Sequence, residues 1–340
     1  WTGHTPGRAM LVLKDVSRAV GGGLSFHAVS LAIAAGRPTA IVGLSTAERT
    51  AFGRLVSGVD RPHAGDIRLG GEDIAKARTS RGRVLRVVPP GLAPSGRQVA
   101  KVGREVVALA GLTGQVDAKL ASLSGAQRMK LALAQAALAR PPLLIVDGPT
   151  AQLSPEAGDD LRLALPGLLA PATGVVLLLA ASAAEALALS GDTAVFAGGR
   201  LIQAGGAGEV AAHPVNLSSA IATSWPQLNT LPLMARDGRW RLRDGSRLQL
   251  PESLALPAEG GCTLAFHPED VTLERTSPDC LRFVVRVAGP VRDGYLPATF
   301  AGASWMCPLA VEAPHAGALL NAFVDRSRLM LFDAEGKALT

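Results

Sequence analysis

The chain has little cysteine. Cys262, Cys280 and Cys307 are the only three in 340 residues, and they form no Cys-x-x-Cys pair and share no metal spacing with a histidine. A disulfide framework and a zinc centre are therefore excluded as organising features, and a reducing compartment is expected. His4, His27, His63, His213, His267 and His315 are equally scattered, so packing and surface roles are expected for them. Aromatic residues make up 4% of the chain, with a single tyrosine, Tyr295, while Trp225 and Trp305 are expected to pack. The formal charge of +6 is spread without a basic run or interleaved aromatics, which argues against nucleic acid as a partner. No basic-then-apolar leader is read at the start, and residues 1–9, ahead of Met10, are left out of the fold reading. The uncharged stretch 163–184 is broken by Pro166, Gly167, Pro171 and Gly174. Its unbroken apolar part falls far short of the roughly twenty residues that a spanning helix needs, so a soluble chain is expected.

What is present points to an α/β protein. Hydrophobic residues are 48% of the chain, dominated by Ala, Leu and Val, and the length allows two domains. Strands are expected at 11–16, 27–33, 38–42, 66–69, 84–88, 143–146 and 175–180, with helices at 51–57, 99–110, 155–169 and 183–189. Residues 44–50 read as a polar loop between a strand and a helix. A hairpin is expected at 195–203, split by Gly198-Gly199. Beyond residue 213 the helices stop. Short strands punctuated by Pro and Gly follow at 240–242, 247–250, 262–266, 281–287, 299–300, 322–324 and 329–332, which suggests a small β-barrel. The expected domains are 10–214 and 215–340.

The chemistry-bearing block is LSGAQRMKLALAQAALARPPLLIVDGPT, residues 123–150. A polar turn opens a helix, and a buried strand then ends on Asp147. This block resembles the signature helix and Walker B strand of ABC-transporter ATPases. The stretch from Ala35 to Ile74 is similar to the family's phosphate-loop region. The resemblance covers residues 10 to about 210, with a weaker version continuing to the C-terminus. It implies a P-loop NTPase-like ABC ATPase domain with a trimmed helical subdomain at about 90–135, followed by a small OB-like β-barrel for dimerisation or regulation.

The resemblance also implies roles for particular residues. The phosphate loop would be Gly43-Leu44-Ser45-Thr46-Ala47-Glu48-Arg49-Thr50, departing from Gly-x-x-x-x-Gly-Lys-[Ser/Thr] at Glu48 and Arg49. A side chain at 48 restricts the backbone, and its carboxylate opposes a triphosphate. Arg49 keeps the charge but not a compact ammonium. ATP with Mg2+ would engage Gly43, Ser45, Arg49, Thr50 and Asp147, with Thr50 and Asp147 on the metal. The family's catalytic glutamate, water-orienting glutamine and switch histidine fall at Gly148, Pro89 and Ala181, so no catalytic residue is expected. The family's dimer-crossing aspartate falls at Ser154, and its adenine-stacking aromatic falls near Val20. Ser124, Gly125 and Gln127 keep the signature loop, which in this family acts on nucleotide held by the opposite subunit. As bare structure, the same residues are a strand–helix turn at 43–50, a Ser-capped helix at 124 and a strand-end aspartate that caps backbone N–H groups.

Residues 213–232 and Phe266-His267-Pro268-Glu269-Asp270 resemble the linker and Arg-Pro-Glu segment of sugar- and polyol-importer ATPases, and the opening at 16–31 resembles glycerol-type subunits. These likenesses imply a peripheral subunit on the cytoplasmic face of the inner membrane. It would work with a second ABC ATPase subunit, two membrane permeases and, indirectly, a periplasmic solute-binding protein. The expected function is an importer subunit that hydrolyses little itself and completes its partner's ATP site. The alternatives are a slow but genuine ATPase and a non-transport scaffold.

Overall fold

The structure is a computed structural model. It describes residues 10–21, 24–79, 82–89, 91, 95–189, 191–236, 239–242, 245, 248, 260–292, 294–309 and 314–339. Residues 1–9, most of the strand expected at 247–250, and the side chain of Val20 lie outside the described set. The chain divides into two compact units, Trp1–Ala212 and His213–Thr340. No helix among the described residues is long and apolar enough to cross a membrane.

The first unit holds two sheets. An antiparallel sheet is formed by β1 (Met10–Gly21), β2 (Leu24–Ala34), β4 (Ala64–Leu69) and β5 (Glu72–Asp73), in the order β2-β1-β4-β5. The second sheet is built from β3 (Thr39–Val42), β6 (Val84–Val87), β7 (Leu143–Asp147), β8 (Val175–Leu179), β9 (Asp192–Ala197) and β10 (Arg200–Gly206). Its order is β10-β9-β3-β8-β7-β6, parallel throughout except for the β9–β10 hairpin. Strands β3, β7 and β8 are buried along their whole length. That is why they read as continuous Val/Leu/Ile runs and not as alternating ones.

Helices α1 (Thr46–Val56), α2 (Ile74–Thr79), α3 (Arg104–Leu109), α4 (Gly125–Leu138), α5 (Pro155–Leu169), α6 (Ala183–Ala188) and α7 (Ala207–Ala212) complete this unit. Phe52 of α1 packs edge-on to Phe26 of β2 and Phe196 of β9, with ring centroids 5.5 and 5.3 Å away. This aromatic contact fixes α1, and hence the 43–50 segment, against both sheets. The single helix expected at 99–110 is instead a 3-10 turn, Val99–Val102, followed by α3. Gly103 breaks it at φ 123°, a conformation that no helix continues through.

The second unit contains α8 (Leu217–Thr223) and two antiparallel sheets. One is ordered β12-β11-β13-β19, from β11 (Asn229–Arg236), β12 (Arg239–Arg241), β13 (Gly261–Phe266) and β19 (Met330–Asp333). The other is ordered β14-β18-β15-β16-β17, from β14 (Val271–Thr272), β15 (Cys280–Val287), β16 (Tyr295–Phe300), β17 (Ala303–Pro308) and β18 (Leu319–Asp325). In place of the single barrel expected, the described strands form two sheets sharing one core, which includes Leu231, Leu264, Phe266, Phe283, Trp305 and Val324. Side chains link them: Asn229 Nδ2 donates to the Met306 carbonyl at 2.9 Å, and Trp305 Nε1 donates to the Thr230 carbonyl at 3.2 Å. Residues 229–232, the end of the stretch read as linker, belong to β11 at the interior of its sheet.

Candidate functional site

Strand β3 ends on Gly43, whose φ is +83° and whose missing Cβ would lie 2.0 Å from the Phe196 carbonyl oxygen. Only glycine fits there. The chain then enters α1 at Thr46, five residues before the helix start expected from the sequence. Ser45 is the N-cap. Its Oγ accepts from the Glu48 N–H at 3.3 Å, and its own N–H donates to Glu48 Oε2 at 2.8 Å, closing a capping box. Residues 46–50 are therefore helix and not the expected polar loop. The Thr50 hydroxyl donates to the Thr46 carbonyl at 3.0 Å, within its own helix.

Arg49 points inward and is 7% exposed. Its Nε lies 3.6 Å from Asp147 Oδ1. The other carboxylate oxygen, Oδ2, accepts from Arg86 Nη2 at 2.5 Å. Asp147 is thus held between two guanidinium groups, from α1 and from β6. Two glycines leave room for them. A Cβ on Gly53 would lie 2.8 Å from Arg86 Cζ, and a Cβ on Gly148 would lie 3.3 Å from Arg49 Nη2 and 3.5 Å from Ala181 Cβ. Gly148 and Ala181 are therefore brought together beside Arg49. Pro89 is half-buried and contributes no side-chain donor.

The next carboxylate is Glu185, which is fully buried. Its Oε1 accepts from the Thr150 N–H at 2.8 Å and from the Thr150 hydroxyl, while Oε2 accepts from the Ala181 N–H at 2.6 Å. It ties the loop after β7 to the loop after β8. Sequence reasoning missed both Arg86 and Glu185. Each had a signal: a lone charge inside the apolar strand 84–88, and a lone charge in LAASAAEALAL.

Helix α4 opens in the same way as α1. The exposed Ser124 is its N-cap, with Ser124 Oγ accepting from the Gln127 N–H at 3.2 Å and Gln127 Oε1 accepting from the Ser124 N–H at 2.9 Å. A Cβ on Gly125 would lie 3.2 Å from Leu153 Cδ2. Ser124, Gly125 and Gln127 thus form a separate helix start, with no bond among the described residues to the Arg49–Asp147 cluster. After β6, the chain at Gly91 lies directly on α4, where a Cβ would meet Met129 Cα at 2.7 Å.

A divalent cation does not fit this donor set. Both oxygens of Asp147 face guanidinium nitrogens, and the Thr50 hydroxyl is bonded within α1. To bind there, the ion would have to displace both arginines. Leaving a buried charge unpaired in that way costs about 3–5 kcal/mol. Among the described residues, no other cluster of His, Cys, Asp and Glu could hold a metal.

The sequence profile of the family described as ABC transporter matches residues 26–151. The sulfate/thiosulfate import ATP-binding protein CysA 2 of Chromobacterium violaceum is 30% identical over 295 residues, covering 82% of this chain and 80% of that protein. The chain belongs to the ABC transporter ATP-binding family. Two further relatives agree. The Fe(3+) ions import ATP-binding protein FbpC of Pseudomonas fluorescens is 32% identical over 62% of this chain and 65% of that protein. The sulfate/thiosulfate import ATP-binding protein CysA of Mesorhizobium japonicum is 28% identical over 79% of this chain and 84% of that protein. ABC ATPases as a family bind ATP with Mg2+.

Proposed function

We propose that this chain is the nucleotide-binding subunit of an ABC importer, that its own ATP site is catalytically impaired, and that it completes the site of an intact partner ATPase. One observation carries the reading: the contrast between two helix starts. At α1 the position of the phosphate loop is already helix, and Arg49 and Arg86 hold Asp147. At α4 the exposed Ser124 and Gly125 start a 14-residue helix whose N-terminal end can face an anion. Phosphoryl transfer needs a positioned water and charge stabilisation, and neither Gly148, Pro89 nor Ala181 supplies a group for it.

The subunit would sit peripherally on the cytoplasmic face of the inner membrane with two permeases, served by a solute-binding protein. The second unit, the barrel-like pair of sheets, would serve dimerisation or regulation. For cargo, the relatives' names favour sulfate, thiosulfate or Fe(3+). The carbohydrate or glycerol reading rests only on residues 213–232, 266–270 and 16–31, and those relatives give it no support. Purified alone, the chain should show negligible ATP turnover. Co-expressed with an intact ATPase subunit and its permeases, it should support turnover that Ser124→Arg abolishes. Turnover by the chain alone, lost on Asp147→Asn in a variant that stays folded, would overturn the proposal.

A further inference from the structure

We infer that Arg49 and Arg86 are built-in cationic occupants of the Asp147 site, a guanidinium clamp standing where a divalent cation would stand. The inference deepens the reading of an impaired site and takes its functional meaning from it, but the clamp is a physical claim about this chain's own residues. The two arginines arrive from different elements and converge on one carboxylate. In the parallel ladder Arg86 of β6 is opposite Ile145 of β7, so Arg86 and Asp147, two residues further on, share one face of the sheet. Arg49 comes from the first turn of α1, above the sheet end.

The surroundings are shaped for the clamp. Gly53 has no side chain where Arg86 passes, and Gly148 has none beside Arg49. Neither neighbouring carboxylate competes for the arginines. Glu185 is bonded to Thr150 and Ala181, and Glu48 Oε2 to the Ser45 N–H. The clamp is also unevenly satisfied, since Arg49 Nε and Arg86 Nε are buried without a hydrogen-bond partner. A buried and a half-buried cation therefore depend on a single carboxylate. Neutralising Asp147 strands both, whereas removing both arginines frees a carboxylate that can take a hard cation.

The consequence is that this unit is held together at its site without metal or nucleotide. Mn2+ serves as the probe, with electron paramagnetic resonance reading binding and thermal unfolding of the full chain reading stability. The wild-type chain should bind no Mn2+ at this site. The Arg49→Ala/Arg86→Ala variant should gain an Mn2+ signal that Asp147→Asn removes. Asp147→Asn should lower the wild-type Tm by about 5–10 °C, yet leave the Tm of the double variant nearly unchanged. Arg49→Met/Arg86→Met, which keeps side-chain volume, serves if the alanine variant does not fold. Asp147-dependent Mn2+ binding by the wild type, no Mn2+ gain in the arginine-free background, or an equal effect of Asp147→Asn on Tm in both backgrounds would each overturn the clamp. Mn2+ binding by a wild-type chain that turns over no ATP would sink the clamp and leave the impaired-site reading standing.

Discussion

The Ser45 N–H donates to the Glu48 carboxylate at 2.8 Å, closing the capping box that opens α1. Ser124 and Gln127 make the matching bond at 2.9 Å at the start of α4. The two N-caps have φ/ψ of −62°/165° and −64°/165°, so the two loops are one local structure used twice. Glu48 is thus more than a repulsive charge. Its carboxylate is half of the capping box that starts α1 at Thr46.

Restoring the loop letters should restore binding. Glu48→Gly with Arg49→Lys makes residues 43–50 read Gly-x-x-x-x-Gly-Lys-Thr, and it removes both the box and one arm of the clamp. Affinity for a fluorescent ATP analogue should rise at least tenfold over the parent, about 1.4 kcal/mol, in a direct titration. Glu48→Ala alone should only weaken the cap, by about 1 kcal/mol, with no gain in binding.

Glu185 should matter to stability more than any exposed carboxylate. Glu185→Ala leaves the Thr150 and Ala181 N–H groups and the Thr150 hydroxyl without their acceptor. Bonds to a buried charged group are worth about 1.5–3 kcal/mol each, and not additively. A loss of about 3–5 kcal/mol in urea unfolding is expected. A loss below about 1 kcal/mol would mean that the two loops are held by something else.

The acid side of the stability curve should carry a contribution from Asp60. The bidentate bond from Arg54, at 2.9 and 2.7 Å, is the main cause holding its carboxyl below the usual aspartate range; burial opposes it and Arg18 adds to it. A depressed folded-state pKa gives stability that is fully present above the unfolded value and is lost as pH falls through the folded one. Asp60→Asn should therefore flatten the acid limb of a plot of Tm against pH and leave its slope near neutrality unchanged.

Thiol labelling should separate the cysteines. Burial pushes Cys262 and Cys307 up to about 11. For Cys280 burial also raises the value, but hydrogen bonds with Thr276 and Ser277 outweigh it and the thiol is lowered. Because the thiolate is the nucleophile, a native-state reaction with a disulfide reagent near pH 8 should modify Cys280 first. Cys262 and Cys307 should follow only on unfolding. Prompt loss of all three thiols would contradict the packing of the second unit.

Much of the frame was legible from residue pattern. The runs at 143–146 and 175–180 are β7 and β8, and LSGAQ begins a helix at Ser124 as read. The start of α1 lies earlier than expected because Ser45-Thr46-Ala47-Glu48 is itself a capping-box sequence. Strand β11 was missed because Pro232 sits in it and proline lacks the N–H of a ladder, yet Pro232 lies opposite Thr263 in β13. Arg86 is a lone charge in an apolar strand, and nothing local says that its guanidinium turns toward Asp147.

Sequence alone determined most of the strands of the first unit, the aspartate at the end of a buried strand and the capped start of α4. These depend on short-range periodicity and capping, which neighbouring residues fix among themselves. Only the tertiary structure decided that Arg49, Arg86 and Asp147 meet. Those three residues are far apart along the chain, and it takes the parallel register of β6 on β7 and the aromatic anchoring of α1 to bring two cations to one carboxylate. Charge pairing across such distances depends on which elements pack together, and no local pattern encodes it.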